Sequence, residues 1–517
     1  MQQVTRRPVP VAEIRVFTLL MMSMVFSGNA LAQQTNSGMS SSGAPTVNVQ
    51  TRLGVNQTWT DNNLLATTAK DSALITTLTP GISISSKRGR VQGSLDYSLN
   101  GIFYTKSDQK DRVQQNLSAR GTVELFENAM FVDATASIAQ QTTSAFGAQS
   151  VDTRLSNPNR NETAMVSVAP RIQGRLGNFA QIELRANASV INVNDAIVGD
   201  SNSDGFSMRI SGAGQSVLNW SAQASTQKTN FKASSENRLS NLNLGLTYKP
   251  DIDWQAGVLV GRERSDLKDY TLRNSATYGA NASWSPSRRT KLAVDFQAHD
   301  YGDAFSYSLD HRWARAAFRF SDTQSVNVGN LQNASAPQSN YDLYFFQLAS
   351  VVPDPVERDL RVRSTLRALG LSPDSIANNS LLNAGPSIQR NQLVSFSVQG
   401  VRTTVTASGS RSSSRRLASA EASAGDFSQT ARIRQRGVSV DLSHSLTPTS
   451  SIALSVVQQE SEGDLATQST TLKSISASWS SRLGARTAFT LGARAANFAG
   501  LTPYREHAVF ANLVQQF

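Results

Sequence analysis

Residues 91–104, VQGSLDYSLNGIFY, carry an apolar or small side chain at every second position: Val91, Gly93, Leu95, Tyr97, Leu99, Gly101 and Phe103. The positions between, Gln92, Ser94, Asp96, Ser98 and Asn100, are polar, until Ile102. Successive side chains of a strand point to opposite faces, so this is a strand with one dry face and one wet face. The pattern recurs along the chain, for example at Val47, Val49, Leu53 and Val55, at Ile182, Leu184, Ala186, Ala188 and Val190, at Leu242, Leu244, Leu246 and Tyr248, and at Val509, Ala511 and Leu513. These segments run to about nine to twelve residues, against a mode of ~5–6 in globular proteins and the ~9–11 that cross a bilayer at a tilt. A dry face so rich in Ala and Gly, repeated this often, is predicted to meet lipid.

The connections alternate in length. Short ones include FENAM (126–130), KPDID (249–253), SPSRR (285–289), TPTS (447–450) and RLGAR (482–486). Between them lie longer polar stretches such as DNNLLATTAKDS (61–72), QQTTSAFGAQSVDTRLSNPNRNE (140–162), NVNDAIVGDSNSD (192–204) and QKTNFKASSENR (227–238). Tight turns on one side and long loops on the other are the connectivity of an outer-membrane barrel. Counting them predicts an all-β, transmembrane, antiparallel up-and-down β-barrel of about 22 strands over 47–517, a count that includes a hairpin at 304–322. Trp254, Trp284 and Trp479 lie within a few residues of short turns, where aromatic rings collect at headgroup level. Phe517 ends an alternating strand and resembles the assembly signal read by the barrel-assembly machinery.

Composition agrees. Charged residues are only 17% of the chain, below the quarter usual for soluble domains. Arg6, Arg7 and Arg15, an apolar run from Val16 to Phe26, and Ala30-Leu31-Ala32 read as a signal peptide over 1–32, cleaved near Ala32. Cleavage leaves 33–46 as a short periplasmic segment, too brief for a plug domain. There is no cysteine, which sets aside disulfide scaffolds and thiol-based metal or redox chemistry.

Residues 323–392 break the rhythm as a long insertion. Within it DPVERDLRVRSTLRALGLSP predicts a helix at 355–369: Asp354 caps it, Pro355 suits its first turn, and Gly370 ends it. Arg358, Arg361, Arg363 and Arg367 make that helix basic, and folded inward it would constrict the lumen.

TWTDNN (58–63) followed by TPGISISSKRGRVQGSLDYSLNGIFY (79–104) resembles the N-terminal signature of the outer-membrane β-barrel proteins associated with the PEP-CTERM/exosortase system. QRNQLVSFSVQGVRTTVTASGS (389–410) and the basic helix resemble that family's second half. The resemblance implies a Gram-negative outer-membrane location and a link to exopolysaccharide export or surface-protein sorting. It brings no catalytic residues and no transported substrate.

Motifs for chemistry are sparse. His299, His311, His444 and His507 lack metal-ligand spacing, and no nucleophile elbow, phosphate loop or zinc-protease motif is present. Asp200, Asn202 and Asp204 before Gly205 resemble half of a calcium loop, but the twelfth position is Ser211; an ordinary loop tip fits better. The wet face carries Arg120, Glu124, Glu183, Arg185 and Arg209 among other charges of both signs, predicting ion pairs that brace the wall of a filled or mixed-charge lumen. Arg432, Arg434 and Arg436 share parity with Val438, Val440 and Leu442, so they point outward above the apolar band and suit lipopolysaccharide phosphates, a solvated basic loop being the equal alternative. The expected partners are therefore outer-membrane lipid, lipopolysaccharide, the assembly machinery and exopolysaccharide or export components. No cofactor and no nucleic acid is called for. A porin-like barrel for polymer secretion leads, a non-conducting scaffold barrel is the alternative, and a barrel-type lipase, needing Ser and His to converge, is remote.

Overall fold

The computed structural model describes residues 47–517 apart from 87–88, 106, 108, 195–198, 215–216, 269, 421–422 and, within 329–384, all but Phe345, Leu348, Arg358 and Val362. The expected signal peptide and segment 33–46 lie outside the described residues, as do Arg361, Arg363 and Arg367 and most of the predicted helix 355–369.

The first half of the chain forms β1 (Val47–Thr60), β2 (Ala73–Ser86), β3 (Val91–Thr105), β4 (Arg112–Phe126), β5 (Met130–Thr142), β6 (Arg160–Leu176), β7 (Ala180–Val193), β8 (Ser201–Gly212), β9 (Leu218–Phe231), β10 (Asn237–Tyr248) and β11 (Trp254–Ser265). The second half forms β12 (Arg273–Ser287), β13 (Thr290–Ala298), β14 (Ala304–Arg312), β15 (Ala316–Asn327), β16 (Ser387–Gln399), β17 (Thr403–Arg416), β18 (Arg432–Ser445), β19 (Ser450–Glu462), β20 (Ser469–Arg482), β21 (Thr487–Ala499) and β22 (Tyr504–Gln516). Each strand pairs antiparallel with its sequence neighbours. β1 also pairs with β22, from Arg52 opposite Gln516 to Thr60 opposite Ala508. That last ladder closes the sheet into a 22-strand barrel and removes its edges. The 304–322 hairpin exists as β14 and β15.

Several strands are longer than the sequence suggests, up to 17 residues in β6, because they continue past the apolar band on the loop side. The β15–β16 connection is correspondingly shorter than the predicted insertion, since the strands reach Asn327 and resume at Ser387. Of the segment DSNSDG, expected as a loop tip, all but Asp200 instead begins β8, laddered on both sides.

Parity behaves as the alternation demands. Val47, Val49, Leu53 and Val55 are exposed on the outer face of β1, as are Leu242, Leu244 and Leu246 on β10. Thr58, Thr77, Ser98, Thr229, Thr277, Ser395 and Thr406 are buried on the opposite, inner face. Large apolar residues outside and hydroxyls inside make this a barrel whose solvent is lipid on the outside. A girdle of exposed aromatic residues marks the short-turn end: Trp254 stands directly opposite Trp284, and Tyr248 packs edge-on against Trp254 at 5.7 Å. Phe179 lies 5.4 Å from Trp220, and Trp479 lies 6.2 Å from Phe489. At the same end the backbone N–H of Phe517 donates to Thr51 O at 2.9 Å, so the C-terminal strand is tied to the first.

Local chemistry sets the tight turns. In the β4–β5 turn Asn128 takes a left-handed φ of 54°, and its N–H donates to Glu124 Oε1 at 2.6 Å. Gly177, φ 57°, does the same backbone work between β6 and β7. Proline breaks the ladder where it falls mid-strand. The β2–β3 register runs from Leu78–Gly101 to Gly81–Ser98 without pairing Pro80, and β6–β7 steps over Pro170.

Candidate functional site at the loop-side mouth

The residues 143–159 that join β5 to β6 fold into the barrel and line its inner wall. Arg112, on the inward face of β4, donates from Nη2 to the carbonyls of Thr153, Arg154 and Leu155 at 3.1, 3.0 and 2.8 Å. The Tyr104 hydroxyl of β3 donates to Arg154 O at 2.7 Å, and that of Tyr504 on β22 donates to Gln149 O at 2.5 Å. Thr470 of β20 reaches Ala145 O at 3.3 Å. Leu155 is buried among Ile75, Ile102, Phe498 and Tyr504. The loop thus grips an arc of wall running from β18 through β22 and β1 to β4.

An ion cluster fastens it. Asp152 Oδ2 lies 2.8 Å from Arg154 and 2.9 Å from Arg494 of β21, and Arg494 continues to Glu506 of β22 at 2.8 Å. Thr60 Oγ1 donates to Glu506 at 3.1 Å, and Arg154 also donates to Asn56 of β1. The side chains of Asp152, Arg494 and Glu506 are only 3%, 9% and 1% exposed, so this is an interior cluster rather than a surface pair. Burial alone would push the Asp152 carboxyl up; Arg154 and Arg494 outweigh it and hold it far below the usual carboxylate range.

A second loop, 417–431 between β17 and β18, meets the first. Asp426 accepts from Ser144 Oγ and from Ala145 N, both at 2.7 Å. Phe427 buries against Ala145, Phe146 and Ile433. Burial pushes the Asp426 carboxyl above its ordinary value, with those two hydrogen bonds opposing. Ala424 packs against Ile191 and Val193 on the inner face of β7, across the barrel from the loop's own strands. Arg416 holds the loop's carbonyls of Phe427 and Thr430 at 2.6 and 3.3 Å, and Asp464 takes the backbone N–H groups of Ala431 and Arg432. Together the two loops form a roof over the loop-side mouth.

The TWTDNN stretch serves this roof. Asn62 is fully buried and bonds Ala66 in both directions and Arg505 O at 3.0 Å, while Asn63 O accepts from Ser156 N at 3.1 Å. Asp61 accepts the His507 N–H at 2.7 Å. The roof residues Asp152, Arg154, Asp426 and Glu506 escaped sequence reasoning, since their partners are as far as 446 positions away.

The predicted lumen charges sit on the inner wall. Arg185 and Arg171 both reach Asp133, at 3.3 and 3.2 Å, and Glu183 stands opposite Arg209. Arg120 faces the lumen opposite Ser94 and Thr135, and Glu124 supports the β4–β5 turn. Arg52 and Asp96 add a further pair at 2.7 Å. Arg432, Arg434 and Arg436 share the outward parity of exposed Val438 and Val440 on β18. Arg358 lies 4.7 Å from the Phe345 ring. The calcium-loop geometry is absent, because Asn202 and Asp204 lie on an extended strand and Asp200 binds Val193 N and Lys232. No group of three metal-ligating side chains occurs among the described residues. The histidines keep separate company: His299 with Glu263 at 2.6 Å, His311 with Thr290, His444 with Thr403, and His507 with Asp61.

Comparison with known proteins finds no matching family model and no match among curated proteins. Solved structures do match. The FrpB iron transporter from Neisseria meningitidis (F3-3 variant) aligns at 11% identity over 91% of this chain and 81% of that one, TM-score 0.47. A mutant ferric enterobactin receptor, PfeA, from Pseudomonas aeruginosa aligns at 7% identity over 91% and 80%, TM-score 0.44. FpvA from P. aeruginosa, bound to a heterologous pyoverdine, aligns at 7% over 91% and 72%, TM-score 0.44. The closed ladder and apolar outer band make this molecule an outer-membrane β-barrel.

Proposed function

We propose that the protein is a porin-like barrel serving exopolysaccharide export or the PEP-CTERM/exosortase surface system, with passage governed by the roof of inward loops. The observation that carries the reading is the docking of 143–159 on the inner wall through Asp152, Arg494 and Glu506. On this reading the ion cluster and the two Asp426 hydrogen bonds are the charged part of the grip, and losing them shifts the loop from a docked toward a released arrangement. The wall beneath supports a glycan. Its half-buried inward hydroxyls and amides, such as Ser408, Ser439 and Asn281, offer neutral hydrogen bonds. Each such bond nets only about 0.5–1.5 kcal/mol, weak enough for a polymer to slide past. The link to exopolysaccharide rests on the resemblance of 58–63, 79–104 and 389–410, and this reading assigns no catalytic step.

Planar-bilayer recording tests it. Wild-type protein is expected to pass little steady current, and Asp152→Asn/Asp426→Asn to conduct clearly more. In cells, deletion of the gene is expected to abolish secreted exopolysaccharide, with the full chain restoring it. The scaffold alternative gains from the tightly braced wall; silence of both proteins in the bilayer, with export unchanged, would establish it and overturn the channel.

A further inference from the structure

The register of β17 and β18 places Arg411 directly opposite Arg436, and Arg415 directly opposite Arg432. Such partners have Cα atoms about 4.5–5.5 Å apart, and like charges in this relation destabilise a sheet. Arg434 lies between the two pairs on the same face, opposite Ser413. All five side chains point outward: Val405 on β17 and Val438 and Val440 on β18 share their parity and are exposed. Arg436 stands about 7 Å beyond Val438 along the strand, where the outer face leaves the hydrocarbon.

Neighbouring strands compensate only in part. On β19, Glu462 is opposite Arg434 and Glu460 opposite Arg436, and Glu460 already accepts from Gln458 at 2.7 Å. Asp464, in the β19–β20 loop, lies near Arg432 but is occupied with backbone N–H groups. On β16, Arg390 is committed to Asp322 at 2.6 Å, and Gln392, opposite Arg411, brings no charge. Five guanidiniums against two flanking glutamates leave a positive patch built from directly opposed like charges. An anion between them converts the repulsion into paired, fork-shaped hydrogen bonding.

We propose that this face binds the phosphates of an outer-leaflet lipid headgroup. The commitment to a lipid rests on position: the patch is outside the barrel, continuous with the apolar band, at the loop-side edge of the membrane. Acyl chains of the same molecule then lie on Val405, Val438 and Val440, while its phosphates sit between the arginine pairs.

The test uses the full chain in zwitterionic detergent, following the thermal loss of the heat-modifiable folded band. Bisphosphorylated lipid A is expected to raise the midpoint, and dephosphorylated lipid A or inorganic phosphate to leave it unmoved. Arg411→Gln/Arg436→Gln removes one repulsive pair, so without lipid it is expected to melt no lower than wild type. It loses the response to lipid A, and lipid A co-purifying with it falls roughly tenfold. No wild-type shift, an equal shift with dephosphorylated lipid A, or a shift with inorganic phosphate alone would each overturn the proposal. These wild-type arms decide it even where the variant does not fold.

Discussion

Asp152 is the charged tie between the roof and the wall. Its carboxylate joins Arg154 on its own loop to Arg494 on the wall, and the Asp152–Arg494 pair is almost wholly out of water. Removing one partner of a buried pair strands the other, at a cost of about 3–5 kcal/mol. Asp152→Asn is therefore expected to release 143–159, seen as faster amide exchange at 149–155 with the strand amides of β21 and β22 unchanged. Acid behaves differently from mutation. The Asp152 carboxyl is held low in the folded protein, so its contribution is fully present above the ordinary carboxylate value and is lost only as pH falls toward its far lower folded value. Acidifying from pH 7 to pH 5 is expected to leave exchange at 149–155 unchanged. Asp426 has the opposite sign. Its value is raised, so the folded state binds that proton more tightly, and stability declines as pH rises through the window just above the ordinary carboxylate value. Asp426→Asn is expected to flatten that slope in urea titrations at pH 4–6.

At the scale of elements, the tight turns depend on single left-handed residues. Gly177→Val forces a branched side chain into φ near 57°, at a cost of about 1–2 kcal/mol, visible as a lower urea midpoint of the detergent-folded barrel. Strand existence was legible because alternation is local and is repeated plainly in runs such as 91–104 and 242–248. Where the reading failed, the reason is equally local. Asp200 to Gly205 has the composition of a turn, yet Asn202 and Asp204 extend outward on β8 beyond the apolar band, and Ser201 and Ser203 turn into the wall. Ladder bonds from β7 and β9 overrode composition there.

For the whole molecule, the aromatic girdle fixes the depth at which the barrel sits. Trp254, Trp284 and Trp479 face lipid near the short turns, so their fluorescence is expected to be quenched by lipids brominated close to the headgroup and much less by those brominated near the chain ends. Equal quenching at both depths would place the band elsewhere. By itself the sequence determined that the chain is a barrel, which face of each strand meets lipid, and which end carries the turns. Each of these follows from a period of two and from loop lengths, properties of neighbours in the chain. The tertiary structure alone decided that the β5–β6 and β17–β18 loops fold inward to meet through Ser144 and Asp426. It also decided that Arg494 and Glu506 receive Asp152, and that Arg411 and Arg436 stand opposite one another. Those outcomes depend on strand register and on contacts between residues hundreds of positions apart, where the free energy is set by which side chains the closed cylinder brings within reach.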